Sequence, residues 1–561
     1  MNGAEAVVRM LQLNGVRHVF GLCGDTSLPL YDALARLDHG IDHILARDER
    51  SAAYMADGYA RVTGRVGVCE GPSGGGATYL LPGIVEANNS SIAVLGITSD
   101  VPVGSRGKYP LTEVDQQALY RPLTKWNARI DRVDQIPGVM RGAFRAMTTG
   151  TPGAAHICLP YDVQKHELDD ALVWAQPGHE SFPSARSAAD PADIDKAADR
   201  LVAARAPVVI CGGGVLLSGA CDALERLAEL LNMPVCTTVS GKGSLADTHP
   251  LNAGVVGANG GVRETREIVD GADVVLFIGC RAGSTTTSQW TSPPRSVAIL
   301  HVDTDPMAIG ANYRTDVGLV GDARLALMAL CDAVAVRLKA RPAAVADGRA
   351  LVARARAAKR EALLTLARSS GRPIAPECVV EALNRLLPRE AIVVADPGTP
   401  CPYMAAYFNA PQAGRHFVTN RAHGALGFAM SAGVGASFGR PGSMVAALMG
   451  DGSFGFTCGE LETIVRRQVP LKMIVFSNSV FGWIKASQKT GYGERYFSTD
   501  FSRTDHAAVS EAFGVRAWRV EEPGQVEPAL RAALAHDGPA LVDVISQELQ
   551  DSAVPVSQWM G

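Results

Sequence analysis

The sequence predicts an α/β protein with three doubly wound parallel-sheet domains. Short apolar runs alternate with segments of helical spacing along the whole chain, which is the pattern of parallel sheets covered by helices. The 561 residues are also too many for one hydrophobic core. Because polar stretches divide the alternation into three blocks, we expect domains at residues 1–172, 190–338 and 373–548 and a tail at 549–561.

Each block contains apolar runs of strand length. In the first block they lie at residues 66–69, 92–97 and 155–159, and in the second at residues 207–211, 274–278 and 298–302. An Ala- and Arg-rich stretch at 339–368 then follows, which we interpret as a solvated linker with a helix. The third block repeats the alternation, with apolar runs at residues 392–395, 445–449 and 473–476.

The composition argues against several classes of function. The chain has 53 Lys and Arg against 57 Asp and Glu, without a basic run, which disfavours a nucleic-acid partner. The 11 cysteines are scattered and include no CxxC pair, as in a reducing compartment. No apolar stretch reaches the roughly 18 residues of a membrane helix, and the N-terminus lacks the apolar core of a secretory signal. We expect a cytoplasmic protein without a membrane partner.

A polar motif follows two neighbouring strands of the predicted third sheet. Gly450-Asp451-Gly452-Ser453 comes directly after the apolar run at 445–449, and Asn478 follows the run at 473–476. The residues between them include a segment of helical spacing. The pattern predicts a βαβ unit that places Asp451 and Asn478 together at the carboxyl ends of two parallel strands.

These residues are typical ligands of a small hard cation bound with a diphosphate. The Asp451 carboxylate, the Asn478 amide oxygen and the Val480 carbonyl would supply the oxygen ligands that Mg²⁺ prefers. Gly452 and Ser453 would begin a helix whose free N–H groups favour a phosphate oxygen. A simple turn is the alternative for an isolated Gly-Asp-Gly, but the flanking strands and helix favour the metal site.

The same stretch resembles a known family. Residues 450–479 resemble the thiamine diphosphate motif of the superfamily that includes acetolactate synthase, benzaldehyde lyase and benzoylformate decarboxylase, with Ser477 at the first of two asparagines. Nearly end to end, the chain is most similar to acetolactate synthase catalytic subunits, for example at residues 20–34, 121–126 and 301–305. The resemblance implies a pyrimidine-binding N-terminal domain, a central Rossmann-like domain and a C-terminal domain for diphosphate and Mg²⁺.

The resemblance assigns the catalytic role to Glu49. Residues 47–61 are similar to the signature around the family's cofactor-activating glutamate, with Asp48 in place of the usual histidine. A carboxylic acid hydrogen-bonded to the pyrimidine ring promotes the imino form that removes the thiazolium proton, and burial raises the pKa of such a carboxyl. An isolated glutamate would be interpreted as a surface residue in a helix N-terminal turn, but the signature favours catalysis.

Two glycine-containing loops resemble those that surround the cofactor in the family. Pro72 and Gly75 lie in a turn that is similar to the one beside the pyrimidine. Gly398 and Thr399 lie in a loop that is similar to the one that touches the diphosphate. Because glycine lets the backbone approach a ligand closely, both loops are predicted to bind the cofactor, although a glycine-rich loop alone is weak evidence.

Residues 420–427 resemble the family segment that holds the thiamine ring. By that match, Gly424 offers its carbonyl to the 4′-amino group, and Leu426 replaces the methionine that wedges thiamine into its V shape. His423 falls where the family usually has a leucine. It could move protons in the substrate pocket, or it could be a hydrogen-bonded structural histidine.

The sequence departs from acetolactate synthases where the substrates bind. Thr112 replaces a glutamine that faces the thiazolium, and Thr26 lies in the similar segment at 20–34, so both are candidate pocket residues. Ser487 stands at the place of a tryptophan that shapes the acceptor pocket in those enzymes, and Trp483 stands at the place of a nearby methionine. Trp483 could line that pocket or pack against its neighbours as most tryptophans do. We therefore expect a different acceptor preference.

The central block gives little support for a flavin. Of the flavin segment of acetolactate synthases only Arg281 remains, so FAD is a less favoured cofactor. The glycine run at 212–214 is interpreted as a tight strand-to-helix turn rather than as a nucleotide site. A flavin- or nucleotide-dependent oxidoreductase is accordingly a less favoured function.

The resemblance implies a thiamine diphosphate- and Mg²⁺-dependent 2-oxoacid decarboxylase or carboligase of the acetolactate synthase kind. Pyruvate would be the donor and an aldehyde or ketone the acceptor, with the carbon–carbon bond formed through a ylide and an enamine. The alternatives are an aldehyde lyase or ligase of the benzaldehyde lyase type and a simple 2-oxoacid decarboxylase. Retention of Glu49, Asp451 and Asn478 disfavours a non-catalytic relative. The family also implies a homodimer or homotetramer with active sites between subunits.

Overall fold

Three six-stranded sheets organise the chain, and all the strand pairs within them are parallel. The structure is a computed structural model that describes residues 1–340 and 347–552. The prediction of three doubly wound parallel sheets is confirmed. Part of the predicted linker at 339–368 and most of the predicted tail at 549–561 lie outside the described residues.

The first sheet has the strand order β2-β1-β3-β4-β6-β5. Its strands are β1 (His18–Gly21), β2 (Asp42–Leu45), β3 (Gly67–Gly71), β4 (Val94–Asp100), β5 (Trp126–Arg129) and β6 (Ala155–Pro160). Its helices are α1 (Gly3–Leu13), α2 (Leu28–Arg36), α3 (Glu49–Thr63), α4 (Gly75–Tyr79), α5 (Leu81–Asn89), α6 (Gln116–Tyr120) and α7 (Ile136–Thr148). The order reverses between β1 and β3, and ligands of doubly wound sheets bind at such a switch point.

The second sheet has the strand order β12-β11-β10-β7-β8-β9, which is the Rossmann order. Its strands are β7 (Pro207–Cys211), β8 (Val235–Thr237), β9 (Asn252–Val255), β10 (Val274–Ile278), β11 (Ala298–Asp303) and β12 (Val317–Val320). Its helices are α8 (Pro191–Ala203), α9 (Gly213–Ser218), α10 (Cys221–Leu230), α11 (Arg263–Asp270) and α12 (Ala323–Ala340). The long helix α13 (Gly348–Ala367) follows and packs on α11.

The third sheet has the strand order β14-β13-β15-β16-β18-β17, which repeats the topology of the first. Its strands are β13 (Ile392–Ala395), β14 (Phe417–Thr419), β15 (Val445–Gly450), β16 (Lys472–Ser477), β17 (Arg516–Val520) and β18 (Ala540–Ile545). Its helices are α14 (Pro376–Leu386), α15 (Pro400–Tyr407), α16 (Phe428–Gly439), α17 (Asp451–Thr457), α18 (Leu461–Arg466), α19 (Gly482–Gly491), α20 (His506–Ala512) and α21 (Pro523–Ala535). The switch point here lies between β13 and β15.

Short 3₁₀ helices join several of these elements. They lie at Asp25–Ser27, Val103–Ser105, Val133–Gln135, Val163–Lys165, Asp170–Leu172, Val239–Gly241, Cys458–Glu460 and Leu549–Asp551. All eleven cysteines are free thiols. Within the part of the chain that the structure describes, no helix has both the length and the apolar composition needed to cross a membrane.

The described residues divide into two compact units. The first unit consists of Met1–Ala185, Asn420–Val445 and Gly455–Leu471, and it contains the first sheet together with α16 and α18. The second unit is formed by the other described residues and contains the second and third sheets. Within the first unit, α3 packs on α16. The helices approach so closely at Gly58 that an added Cβ would lie 2.2 Å from the Ala432 carbonyl oxygen. This contact fixes the helix that begins with Glu49.

Candidate active site

The second unit brings Asp451 and Asn478 together at the carboxyl ends of two paired strands. Strands β15 and β16 pair in parallel with Gly450 opposite Phe476, and Asp451 begins α17 directly after β15. The Asp451 Oδ2 atom accepts hydrogen bonds from the backbone N–H groups of Asn478 (2.9 Å) and Ser479 (2.6 Å). The predicted βαβ arrangement is therefore present, with both polar residues at one edge of the sheet.

The Asp451 carboxylate is buried and oriented by the backbone. Asp451 is only 5% exposed. Its Oδ1 atom accepts a hydrogen bond from the N–H of Gly452 at 2.8 Å. Burial raises the pKa of Asp451, whereas the hydrogen bonds from Ser479 and Gly452 lower it. A carboxylate held in this way keeps lone pairs on both oxygens, so it can still bind a cation.

The Asn478 amide has an unsatisfied polar atom that fits a ligand. The Nδ2 atom is buried without a hydrogen-bond partner among the described residues, and Oδ1 accepts only a 3.4 Å bond from Val480 N–H. Since the two amide ends are interchangeable by rotation, the oxygen can face the same space. Ser479 adopts φ of 58°, which turns the backbone sharply between Asn478 and Val480. The carboxylate, amide and backbone oxygens form a donor set suited to a hard cation.

The start of α17 lies beneath two aromatic rings. A Cβ added at Gly452 would lie 2.9 Å from Phe481 Cε1, and the Phe481 ring meets Phe501 edge to face at 5.3 Å. Phe481 and Phe501 donate backbone hydrogen bonds to the carbonyls of Thr499 and Ser479, respectively. Ser453 is buried beside Gly452. Only glycine fits at 452, which keeps the backbone at the helix start close to the ring.

The loop after β13 reaches the same site. Gly398 has φ of +95° with open space where a Cβ would stand, and Thr399 is the N-cap of α15. A Cβ added at Gly482 would lie 3.5 Å from both Thr399 Oγ1 and Asn478 Nδ2. The predicted diphosphate loop and the predicted metal ligand therefore both lie next to Gly482, near the switch point of the third sheet.

The serine at position 477 belongs to a buried polar network. The Ser477 hydroxyl donates to Asp543 Oδ1 and lies 2.9 Å from His506 Nδ1. Asp543 also accepts from the backbone N–H of His506 and from Arg519. The hydroxyl thus replaces the family's asparagine as a hydrogen-bonding group behind the site, without removing a predicted cation ligand.

Trp483 packs against the core of the second unit. It is half-buried and contacts the apolar cluster that includes Val544 and Leu549. This contact favours the packing interpretation of Trp483 over the pocket interpretation. Its role toward a substrate stays a prediction.

The first unit places Glu49 in a buried position at the start of α3. The residue is 7% exposed, and it takes part in no ion pair among the described residues. Burial raises the pKa of Glu49, and the negative charges of Asp48 and Glu70 raise it further. A raised pKa keeps the carboxyl protonated closer to neutral pH, which is the form that donates a hydrogen bond.

Asp48 caps the helix that carries Glu49. Its Oδ1 atom accepts from the backbone N–H groups of Arg50 (2.8 Å) and Ser51 (3.3 Å). Upstream, the N–H of Arg47 donates to the buried Glu460 carboxylate at 2.9 Å. The aspartate that replaces the family's histidine therefore has a structural role of its own, because helix N-caps favour Asp.

We expect Asp48→Ala to lower the free energy of unfolding by about 1 kcal/mol, since two backbone N–H groups would lose their acceptor. Urea unfolding of the two proteins measures the difference. Asp48→Asn is the control, because asparagine caps a helix equally well, and it should stay within about 0.5 kcal/mol of the wild type. Equal stability of the alanine variant would contradict the capping role.

The glycine-rich turn after β3 contacts the Glu49 side chain. A Cβ added at Gly76 would lie 3.0 Å from Glu49 Oε1 and 2.5 Å from Pro72 Cδ. Gly75 begins α4 and faces open space apart from the Tyr79 ring at 4.0 Å. Sequence reasoning selected Pro72 and Gly75, but the glycines next to the glutamate are Gly76 and Gly71, whose added Cβ would lie 3.3 Å from Glu49 Cγ.

The two threonines predicted to line the substrate pocket share a hydrogen-bond chain. Thr26 Oγ1 donates to Ser73 Oγ at 3.0 Å, and Ser73 Oγ lies 2.6 Å from Thr112 Oγ1. Thr112 has φ of +70°, an uncommon value for a threonine. The chain joins the loops that follow β1, β3 and β4, next to the switch point of the first sheet. Ser73 is the member that sequence reasoning missed.

Glu86 orders the segment that contains His423 and Gly424. This fully buried glutamate accepts from the backbone N–H groups of His423 (2.7 Å) and Gly424 (3.4 Å), and it pairs with Arg61 at 3.1 Å. The His423 side chain is exposed, and Leu426 is half-buried. Glu86 gave no sequence signal, because a lone glutamate in a helix is usually solvated.

Removing the Glu86 carboxylate should destabilise the first unit strongly. Glu86→Ala leaves Arg61 with one carboxylate instead of two and deprives the loop of its acceptor, so we expect a loss of about 3–5 kcal/mol. Urea unfolding measures it, and Asp38→Ala, an exposed acidic residue of the same unit, should change by less than about 0.5 kcal/mol. A loss below about 1 kcal/mol would contradict the ordering role.

The glycine run of the second sheet is explained by backbone packing. A Cβ added at Gly212 would lie 2.3 Å from the Gly279 carbonyl, and one at Gly214 would lie 2.6 Å from Gly279 Cα. Two tight turns therefore press against each other after β7 and β10. This contact accounts for the glycines as a strand-to-helix turn, as the sequence predicted.

Together, the two units carry the residues of one class of enzyme. The residues predicted to bind a cation and a diphosphate lie at one switch point, and a buried glutamate lies beside a glycine-rich turn at another. This combination is expected of a thiamine diphosphate-binding enzyme. The family models of the thiamine pyrophosphate enzyme match three regions, described as the N-terminal TPP binding domain (residues 1–119), the central domain (194–330) and the C-terminal TPP binding domain (396–544). The chain belongs to the thiamine pyrophosphate enzyme family.

Curated relatives cover almost the whole chain. A probable acetolactate synthase large subunit of Methanococcus aeolicus is 35% identical over 97% of this chain and 92% of its own length. A protein of the same description from Methanocaldococcus jannaschii is 35% identical over 97% of this chain and 92% of its own length. The acetolactate synthase isozyme 2 large subunit of Escherichia coli is 31% identical over 98% of this chain and 96% of its own length. The resemblance to acetolactate synthases is confirmed.

Proposed function

We propose that this protein is a thiamine diphosphate-dependent carboligase of the acetolactate synthase kind. Pyruvate is the donor, and a second molecule with an aldehyde or ketone carbonyl is the acceptor. The observation that carries the proposal is the near full-length similarity to acetolactate synthase large subunits together with retention of Glu49, Asp451 and Asn478. The proposed domains are residues 1–172 for the pyrimidine, 190–338 in the centre and 373–548 for the diphosphate.

The second unit would hold the diphosphate end of the cofactor. Asp451, Asn478 and the Val480 carbonyl supply oxygen ligands to Mg²⁺, and the unsatisfied Asn478 amide supports this assignment. The N–H groups at the start of α17, at Gly452 and Ser453, and those near Thr399 favour phosphate oxygens. When bound, thiamine diphosphate supplies a nucleophilic carbon and an electron sink for decarboxylation.

The first unit would hold the pyrimidine end. Glu49 keeps a proton on its carboxyl and shares it with the pyrimidine N1′ atom, for which its burial and raised pKa suit it. The Gly424 carbonyl would accept a hydrogen bond from the 4′-amino group, and Leu426 would support the cofactor. Glu86 positions this segment through the backbone N–H groups.

The substrates would meet the hydroxyl chain of Thr26, Ser73 and Thr112. These groups can donate to and accept from a carboxylate or a carbonyl oxygen. Threonine is smaller than the glutamine that acetolactate synthases have at position 112, so a larger acceptor would fit beside the reacting carbon. A different acceptor from that of the relatives is therefore part of the proposal.

Assaying the purified protein with thiamine diphosphate, Mg²⁺ and pyruvate tests the function. We expect acetolactate from pyruvate alone, or a mixed product when a second 2-oxoacid or an aldehyde is added. An aldehyde lyase of the benzaldehyde lyase type would instead give acyloins from aldehydes and nothing from pyruvate. A simple decarboxylase would release acetaldehyde without a carbon–carbon bond, and either result would overturn the proposal.

We further propose that FAD is absent and that the protein works in the cytoplasm as a homodimer or homotetramer. The loss of all but Arg281 from the flavin segment supports the first point. The purified protein should be colourless, and a yellow preparation with flavin absorbance would contradict it. Sedimentation analysis measures the oligomeric state, and a stable monomer would contradict the shared active sites.

A further inference from the structure

A cavity of about 490 Å³ lies in the second unit, away from the residues proposed for catalysis. Helix α13 forms one wall with Arg356, Lys359, Arg360 and Leu363. Their spacing of three, four and seven residues places them on a single helix face. The sequence predicted a solvated helix, and α13 is exposed or half-exposed at most of its positions, but the face with these three cations lines the cavity. The face of a helix that is turned away from water normally carries apolar residues, so three cations on such a face indicate negatively charged partners.

Two cations at the cavity are already neutralised by carboxylates. Arg360 forms two hydrogen bonds to the buried Glu381. Lys242 is buried across the cavity and donates to Asp247 Oδ2 at 2.6 Å. Asp247 accepts in addition from the N–H of Ala410. In both pairs the positive charge is neutralised by a carboxylate, so these residues form the wall of the cavity and are not expected to bind a ligand's charge.

The other two cations have no carboxylate partner among the described residues. Arg356 donates only to the backbone carbonyl of His249, at 2.9 Å. Lys359 makes no ion pair or hydrogen bond with any described residue, and its Nζ atom lies 3.1 Å from the Cβ position of Gly254. Burial and the positive charge of Lys242 lower the pKa of Lys359 to about 8. The charges of Asp247 and Glu264 act on Lys359 from a distance, but neither carboxylate forms an ion pair with it. Two adjacent cations that face a cavity without a directly bound carboxylate can bind an anion.

The rest of the wall suits an organic group. Leu363, Ala253 and Phe408 contribute apolar surface, and the Tyr407 hydroxyl makes no hydrogen bond with the described residues. The volume lies within the range of about 300–1,000 Å³ that is usual for small-molecule sites. It is several times larger than an inorganic anion would need.

We propose that this cavity binds a small phosphomonoester, with the phosphate at Arg356 and Lys359 and the organic group against Leu363 and Phe408. A phosphomonoester carries close to two negative charges at neutral pH, which matches the two unpaired cations, whereas a carboxylate would leave one of them unpaired. Arginine and lysine next to each other also match the several oxygens of a phosphate. The site shares no residue with the proposed active site, so its test does not depend on activity.

Calorimetric titration of the full-length protein, saturated with thiamine diphosphate and Mg²⁺, tests the proposal with phenyl phosphate as the probe. We expect one saturable site per chain. Arg356→Gln and Lys359→Gln should each weaken binding by about tenfold to a hundredfold, the usual effect of losing a hydrogen bond to a charged group. Arg354→Gln, on the exposed side of the same helix, should bind like the wild type.

A second measurement separates ligand binding from a structural role. Lys359→Met should melt at the same temperature as the wild type or higher without ligand, because an unpaired buried ammonium destabilises the fold. Phenyl phosphate should raise the melting temperature of the wild type and of Arg354→Gln, but not of Lys359→Met. A lower melting temperature for Lys359→Met without ligand would overturn the proposal.

Two results of the titrations would contradict the proposed phosphomonoester site. No saturable binding of phenyl phosphate, or equal affinity in Lys359→Gln and the wild type, would remove the site. Inorganic phosphate is expected to bind at least about tenfold more weakly than phenyl phosphate, because it leaves the apolar wall uncovered. Equal affinities would overturn the assignment of the organic group.

Discussion

Glu49→Gln is expected to lower kcat by about 10²- to 10⁴-fold, the usual contribution of one general acid–base residue. Glutamine keeps the size and the hydrogen-bonding ability of the side chain but cannot share a proton with the pyrimidine N1′ atom. The residue is buried against Gly76, so an isosteric replacement should leave the fold intact. The loss should therefore appear in turnover rather than in stability.

Steady-state kinetics with pyruvate and saturating thiamine diphosphate measures this effect. Circular dichroism and the urea midpoint serve as folding readouts. Asp38→Asn, at an exposed aspartate of the same unit, is the control and should have unchanged kcat. Exchange of the thiazolium C2 proton for deuterium gives a second readout, which should slow in parallel. A Glu49→Gln variant with wild-type turnover would refute the proposed role.

Asp451→Asn is expected to weaken binding of Mg²⁺ and thiamine diphosphate by at least about a hundredfold. Loss of a residue that only supports a metal ligand already costs about tenfold to a hundredfold, and Asp451 is proposed as a ligand. The variant also removes the negative charge that accepts hydrogen bonds from two consecutive backbone N–H groups, those of Asn478 and Ser479. Both the cation and the loop that binds it should be affected.

Titration of the cofactor at fixed Mg²⁺, followed by tryptophan fluorescence, measures the affinity. High concentrations of Mg²⁺ and cofactor should restore part of the activity, because the defect lies in binding. Asp537→Asn, an exposed aspartate of the same unit, is the control and should bind normally. An Asp451→Asn variant with the cofactor affinity of the wild type would exclude this residue as a ligand.

The sequence was most informative for strands that are buried on both faces. The runs at residues 207–211, 274–278 and 392–395 coincide with β7, β10 and β13, because a central parallel strand must be apolar along its whole length. The motif at 450–479 was predictable for the same reason, since two such strands fixed the positions of Asp451 and Asn478.

Edge and half-exposed strands left no such signal. β2 (Asp42–Leu45) and β5 (Trp126–Arg129) lie at the two edges of the first sheet, and both carry charged or polar residues that remain partly exposed. Apolar periodicity cannot identify strands of four residues with this composition. Their pairing depends on neighbouring strands that lie far away in the sequence.

Buried charges were the main feature that sequence reasoning missed. Glu86 lies in a helix without any motif, and its role depends on backbone N–H groups more than 300 residues further along the chain. Lys359 was assigned to a solvated helix because charged residues are usually exposed, and the structure shows it half-buried. The spacing of Arg356, Lys359, Arg360 and Leu363 was visible in the sequence, but only the structure shows that this face lines a cavity.

The central claim is that Glu49 and the Asp451–Asn478 pair serve one catalytic centre that two subunits share. Co-expression of Glu49→Gln and Asp451→Asn under two affinity tags, followed by sequential purification, yields the mixed oligomer. Each variant alone should be nearly inactive, whereas the mixed dimer contains one centre with both wild-type residues and should regain about half of the wild-type acetolactate formation. A mixed oligomer as inactive as its two parents would contradict the shared centre.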